Sequence, residues 1–123
     1  MGKRQEAEKR GRRAETIACV LLSLKGYRIL ERRCRTRYGE LDIVAEKAGR
    51  IIFVEVKQRK NNALALEAVT PRQRKRIERA ALSWMQTHRK LKQSLRFDVI
   101  SIAWPRWPTH IKDAWQADLQ AML

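Results

Sequence analysis

Apolar residues recur along the chain with two different periods, and the switches between them outline the elements. Between Arg12 and Lys25, the residues Ala14, Ile17, Ala18, Leu21 and Leu24 return at steps of three and four, which predicts a helix with one buried stripe that Gly26 stops. Glu15 falls at the border of that stripe, about 100° from Ala14. Residues 1–11 before it are polar and basic and read as a flexible lead-in. From Tyr27 the period shortens: Tyr27, Ile29 and Cys34 mark a first strand. In the next strand Leu41, Ile43 and Ala45 alternate with Glu40, Asp42, Val44 and Glu46. After a turn signal at Lys47 to Arg50, a β-branched and aromatic run sets Ile51, Phe53, Glu55 and Lys57 against Ile52, Val54 and Val56. These two strands are expected to form a hairpin.

Asn61 and Asn62 open what reads as a loop ending at Val69. Thr70, Pro71 and Gln73 then carry the signals of a helix start, with Thr70 as cap, proline in the first turn and a T-x-x-Q box. Ile77, Ala80, Ala81, Trp84 and Met85 form the stripe of that helix. A fourth strand is predicted over residues 96–104. A proline-punctuated corner follows, and Thr109 would cap a short C-terminal helix bearing Ile111, Trp115, Leu119 and Met122. The order α-β-β-β-α-β-α implies one α/β domain over residues 1–123, a mixed β-sheet flanked by helices, with 105–123 as a C-terminal extension.

Charge narrows the partners. The 28 Lys and Arg against 13 Asp and Glu give a net charge of +15, while a 44% apolar fraction still supports a core. Such an excess points to a polyanion, with nucleic acid favoured over a membrane surface because each helix needs its apolar face for the core. Arg72, Arg74, Lys75 and Arg76 crowd the start of a helix, where its dipole disfavours cations, so they are expected to face that partner. Arg35 and Arg37 before the hairpin, and Arg59 and Lys60 after it, extend the basic surface. The longest apolar run, Ile17 to Leu24, is far short of the ~20 residues that span a bilayer. The N-terminus lacks the apolar core of a signal peptide, so a cytoplasmic protein is expected. Cys19 and Cys34 have neither zinc-site nor disulfide spacing and read as reduced and structural, while His88 and His110 stand isolated and are assigned no role.

Against this basic background, Glu40, Asp42, Glu46 and Glu55 are gathered into one hairpin. A four-residue loop would place Glu46 opposite Ile51, Asp42 opposite Glu55 and Glu40 opposite Lys57. A two-residue Gly49-Arg50 turn would instead set Asp42 opposite Lys57 and diagonal to Glu55. Both registers put these acids on one face, with facing Cβ atoms roughly 4.5–5.5 Å apart. Solvated cross-strand ion pairs are the ordinary outcome of such a pattern. Here Val44, Ile51 and Phe53 share the face, which should therefore be covered, and buried acids need a partner. Hard oxygen ligands favour Mg²⁺ or Mn²⁺ over Zn²⁺.

Asp42 followed by Glu55-Val56-Lys57 resembles the D-x(n)-E-x-K arrangement of the PD-(D/E)xK nuclease superfamily, although Leu41 stands where the superfamily label has proline. More narrowly, "GELDIVA", "FVEVKQR" and "RFDVISI", with "AE" in the first helix, resemble the YraN-like family of bacterial proteins over residues 11–103. That family is largely uncharacterised and is predicted to be an endonuclease related to archaeal Holliday-junction resolvases. The resemblance implies a restriction-endonuclease-like core and a metal-dependent endonuclease acting on DNA, including branched or structured DNA. Asp42, Glu55 and the main-chain carbonyl of Val56 would be metal ligands, and Lys57 would position or activate the attacking water. Glu15 would be the acid brought from the first helix, and Glu40 a further ligand or a Lys57 partner. Asp98 reads as structural, and resolvase-like enzymes act as two-fold dimers. Two rivals remain: a non-catalytic nucleic-acid-binding module that keeps the fold, and an adaptor docking through a C-terminal helix with Trp104, Trp107 and Trp115.

Overall fold

Five strands and three helices account for residues 2–117, the part of the chain that a computed structural model describes. Helix α1 (Lys3–Leu24) leads into strands β1 (Arg28–Thr36), β2 (Gly39–Lys47) and β3 (Arg50–Gln58). Helices α2 (Asn62–Ala68) and α3 (Pro71–Thr87) follow, then strands β4 (Leu95–Ile102) and β5 (Thr109–Trp115). The sheet runs β1-β2-β3-β4-β5, antiparallel except for the parallel β3–β4 pair that α2 and α3 cross over to join. The fold is α/β, a mixed sheet flanked by helices and compatible with a restriction-endonuclease-like core.

Alternation along the central strands decides which layer each residue meets. Ile43, Ala45, Ile52, Val54 and Ile100 pack against α1 through Ala14, Ala18 and Leu22. Val44, Ile51, Phe53, Phe97 and Val99 pack on the other face, against Ala65 of α2 and Ile77, Ala81 and Trp84 of α3. Phe97 links two aromatic neighbours there, its ring centroid 5.9 Å from Phe53 and 5.0 Å from Trp115.

Local chemistry explains the joints. Ala48 and Gly49 both adopt positive φ, 52° and 77°, the backbone a two-residue hairpin turn of type I′ requires. The turn pairs Lys47 with Arg50 and Glu46 with Ile51. This is the register expected from a four-residue loop, reached with a tighter turn, and it excludes the Gly49-Arg50 alternative. Thr70 accepts from the Gln73 N–H at 3.2 Å, as its cap position predicts.

Three expectations are corrected. Helix α1 starts at Lys3 and not near Arg12, with Arg4 and Arg12 each 3.7 Å from Glu8 one turn away. The segment from Asn61 to Val69 is not all loop: the Asn61 side chain caps α2 by accepting from the Leu64 N–H at 2.9 Å. Residues 109–115 are strand β5 and not a helix, because β4 is buried and its free edge takes up a partner. Leu119 and Met122, assigned to that helix, lie outside the described residues. Without it the adaptor reading loses its element, and Trp115 is buried. Among the described residues no helix is long and apolar enough to cross a membrane.

Candidate active site

Strand β3 carries four nearly inaccessible residues, Ile51 to Val54, and then a carboxylate, Glu55, that is only 3% exposed. A buried acid is costly unless bonded. Glu55 Oε2 accepts from the Asp42 N–H at 3.3 Å, and Asp42 Oδ2 accepts from the Val56 N–H at 2.9 Å. Each acid is thus clasped to the main chain of the other's strand. The clasp begins where the backbone ladder between β2 and β3 reaches Ile43↔Val54.

The strict alternation expected of β2 breaks here. Leu41 and Val44, three residues apart, both join the α3-side core, whereas Ile43 and Ala45 join the α1 side. The shared face expected for all the acids is corrected accordingly. Asp42 and Glu55 converge, but Glu46 lies at the far end of the hairpin, held by Arg28 at 2.7 Å and Gln93 at 2.9 Å. Opposite Asp42, Arg33 of β1 takes a left-handed φ of 50°. Its Nε donates to both oxygens of Glu15, at 2.7 and 3.0 Å.

Electrostatics follow from this crowding. Burial, then the Asp42 charge, pushes the Glu55 carboxyl up to about 8, against the pull of the Asp42 N–H, Lys57 and Arg76. Burial also raises Asp42, opposed first by its Val56 N–H bond, with Glu15 and Glu40 adding to the rise and Lys57 resisting it. Lys57 is partly buried beside the pair, next to Ser101 of β4. Glu40 is exposed, and its carbonyl accepts from Arg76 Nη1 at 3.3 Å. Gly39, at φ 127°, leaves room for that guanidinium, since a Cβ there would collide with it.

Among the described residues no group of three or more His, Cys, Asp or Glu side chains is placed to hold a metal. The available donor set is the two carboxylates with the Val56 main chain. Two crowded acids whose proton affinity is raised by burial and by their neighbours' negative charge, offering only hard oxygens, fit a divalent Mg²⁺ or Mn²⁺ ion.

The expected cationic residues fall on both sides of the pair. A cleft of about 520 Å³ beside it is lined by Tyr38, Arg72, Lys75, Arg76 and Arg79. Arg37, between β1 and β2, lies 5.3 Å from the Tyr38 ring, and Arg35 stands opposite Glu40. Arg74 is instead engaged inside the protein, its Nε on the Val69 carbonyl at 3.0 Å and its guanidinium 5.4 Å from the Trp115 ring. Arg59 and Lys60 line recesses at the exit of β3.

Sequence reasoning missed the bond from Arg33 to Glu15. It also gave His110 no role, yet His110 Nε2 lies 2.6 Å from Asp98, a fully buried residue that Arg96 grips with two bonds of 2.7 Å. Arg96 also donates to Tyr27. Burial alone would raise Asp98, but these bonds and the Asp113 N–H outweigh it and hold its carboxyl below the usual range. Both cysteines are free, and burial pushes Cys34 up to about 12.

The model of the Uncharacterised protein family UPF0102 matches residues 14–102. A UPF0102 protein of Mesorhizobium japonicum is 44% identical over 112 residues, covering 90% of each chain. One from Maricaulis maris is 45% identical over 91% of this chain and 89% of its own. One from Rhodopseudomonas palustris is 50% identical over 87% and 83%.

Proposed function

The chain belongs to the family UPF0102, the YraN-like family its motifs resemble, and from that premise we propose that it is a metal-dependent endonuclease hydrolysing phosphodiester bonds in DNA. The observation that carries this reading is the mutual clasp of Asp42 and Glu55, with Lys57 beside it and cations on either flank. Asp42, Glu55 and the Val56 carbonyl would hold Mg²⁺ or Mn²⁺. When bound, such an ion acidifies water and offsets charge on a phosphoryl oxygen.

The chain's own residues supply the rest. The clasp fixes the acids before any ligand arrives, so little reorganisation is needed at the moment of reaction. Lys57, an ammonium in a partly dry setting, orients the attacking water and offsets charge that builds on the phosphate. Arg33 holds Glu15 toward Asp42, which adds negative charge on the α1 side, and Glu40 does the same from the solvent side. Arg72, Lys75 and Arg76, with Arg37, grip the backbone and give salt-dependent binding with weak sequence preference. By analogy with resolvases, branched DNA and a two-fold dimer in the cytoplasm belong to the same reading.

A second reading has one observation in its favour: each acid already has a main-chain donor, so the pair is satisfied without a cation. The chain would then be a nucleic-acid-binding module. Calorimetry of Mn²⁺ binding to the natural chain and to Asp42→Asn/Glu55→Gln, with cleavage of linear, nicked, flapped and four-way DNA, separates the two. Metal binding and cleavage that vanish together in the variant support the enzyme. Tight DNA binding with neither metal uptake nor cleavage refutes it.

A further inference from the structure

Beyond Lys57, β3 leaves the sheet through Arg59 and Lys60, and its parallel neighbour β4 leaves beside it at Ile102. The β4 exit carries two tryptophans that the core does not claim, Trp104 at 82% and Trp107 at 77% exposure. Single exposed apolar residues are ordinary. Two indoles around one arginine, Arg106, on a strongly basic chain are not.

Two recesses open on either side of this segment. One, of about 430 Å³, is lined by Trp107, Lys60, Arg106 and Ser101. The other, of about 790 Å³, is lined by Trp104, Arg59, Lys60 and Arg106. Lys60 and Arg106 border both, so each indole shares its recess with the same two cations. Ser101 adds an independent sign: it is 3% exposed, and its Oγ has no hydrogen-bond partner among the described residues. It is also the β4 residue in register with Lys57, so the first recess starts one strand from the acidic pair.

We propose that Trp104 and Trp107, with Lys60 and Arg106, form a stacking platform for two unpaired nucleotides beside the bond to be cut. Its place in catalysis rests on the nuclease reading above, and it defines the substrate as nucleic acid with a single-stranded segment. Each recess joins an aromatic face, which takes any base, to a cation for the phosphate, the combination that single-strand surfaces use. Ser101 Oγ gains from the phosphate or sugar the hydrogen bond it lacks. A continuous duplex offers neither indole an unstacked base.

The test uses the full chain in EDTA and compares an oligothymidylate of about eight nucleotides with a closed hairpin duplex, by fluorescence anisotropy. Trp104→Ala and Trp107→Ala should each weaken oligothymidylate binding about tenfold, as loss of one stacked base does. Duplex affinity should stay unchanged, and Trp104→Phe/Trp107→Phe should retain most of the single-strand affinity. Equal losses on both ligands, or no loss on either, overturn the platform. Tryptophan-dependent binding to phosphatidylserine vesicles without an effect on oligothymidylate overturns it in favour of a membrane surface. Cleavage is read separately: a platform that behaves as expected in a chain inert with Mn²⁺ upholds the platform and removes the nuclease. Tryptophan-independent binding in a chain that still cuts DNA does the reverse.

Discussion

Replacing Glu55 by glutamine should stabilise the metal-free protein at neutral pH. The folded carboxyl holds its proton up to about 8, against an ordinary value of 4.5. Between those limits the folded state binds more protons than the unfolded one, so stability falls as pH rises. Each pH unit costs up to about 1.4 kcal/mol, which places the loss at about 3 kcal/mol by pH 7. Asp42 shifts in the same direction and adds to the slope. Glutamine keeps an oxygen to accept the Asp42 N–H and carries no charge. In EDTA, Glu55→Gln should match the natural chain near pH 4.5 and melt roughly 15 °C higher near pH 7.5, at about 4 °C per kcal/mol. Excess Mn²⁺ should narrow the gap, raising the natural chain by about 2.7 kcal/mol at a hundredfold excess over Kd and leaving the variant unmoved. A variant that melts below the natural chain in EDTA at pH 7.5 would refute the electrostatic account, and equal gains with Mn²⁺ would refute the ligand assignment.

Lys57→Ala should lower Mn²⁺-dependent cleavage by about a hundredfold to a thousandfold, the scale of one lost transition-state charge partner, while leaving duplex affinity within about threefold; single-turnover rates with filter binding check both. Asp98→Asn leaves the Arg96 guanidinium, 15% exposed, without its counter-charge, and should cost about 3 kcal/mol in urea unfolding. Because Asp98 is held below the usual range, its contribution is complete above about pH 4 and disappears as pH falls through the folded value. The variant should accordingly show a flatter acid limb than the natural chain. Arg72→Ala and Lys75→Ala should each reduce the salt slope of DNA binding by about one. Arg74→Ala should instead destabilise the fold, since Arg74 is spent on Val69 and Trp115.

What the sequence revealed tracks how local the cause is. Helix α3 was legible because Thr70 and Pro71 act on their own turn, whereas the sequence left two β2–β3 registers open and the positive φ of Ala48 and Gly49 selects between them. Helix α2 was hidden by Asn61 and Asn62, read as loop residues although Asn61 is a good cap and ALALEA is rich in helix formers. Strand β5 was misread for a structural reason. Asp113, at φ 52°, interrupts its period, so Ile111, Ala114 and Trp115 all reach one core at spacings of three and four, the steps of a helix. A break in alternation around Asp42, with no left-handed residue, also mixes the faces of β2. At the site, the meeting of Asp42 with Glu55 was legible because a hairpin brings them together. The Glu15–Arg33 bond and the neighbourly position of Ser101 were not, since one depends on a left-handed residue and the other on a parallel crossover.

Both outermost strands of the sheet are kinked, β1 by Arg33 and a slip between Ile29 and Glu31, β5 by Asp113 and a slip between Phe97 and Val99 in its pairing with β4. They also bristle with ions, Arg32 and Arg35 on one and Lys112 on the other. Such borders resist zippering onto a second ribbon. If two copies of this molecule associate, they should therefore meet through helices or loops, leaving each five-stranded layer closed to extension.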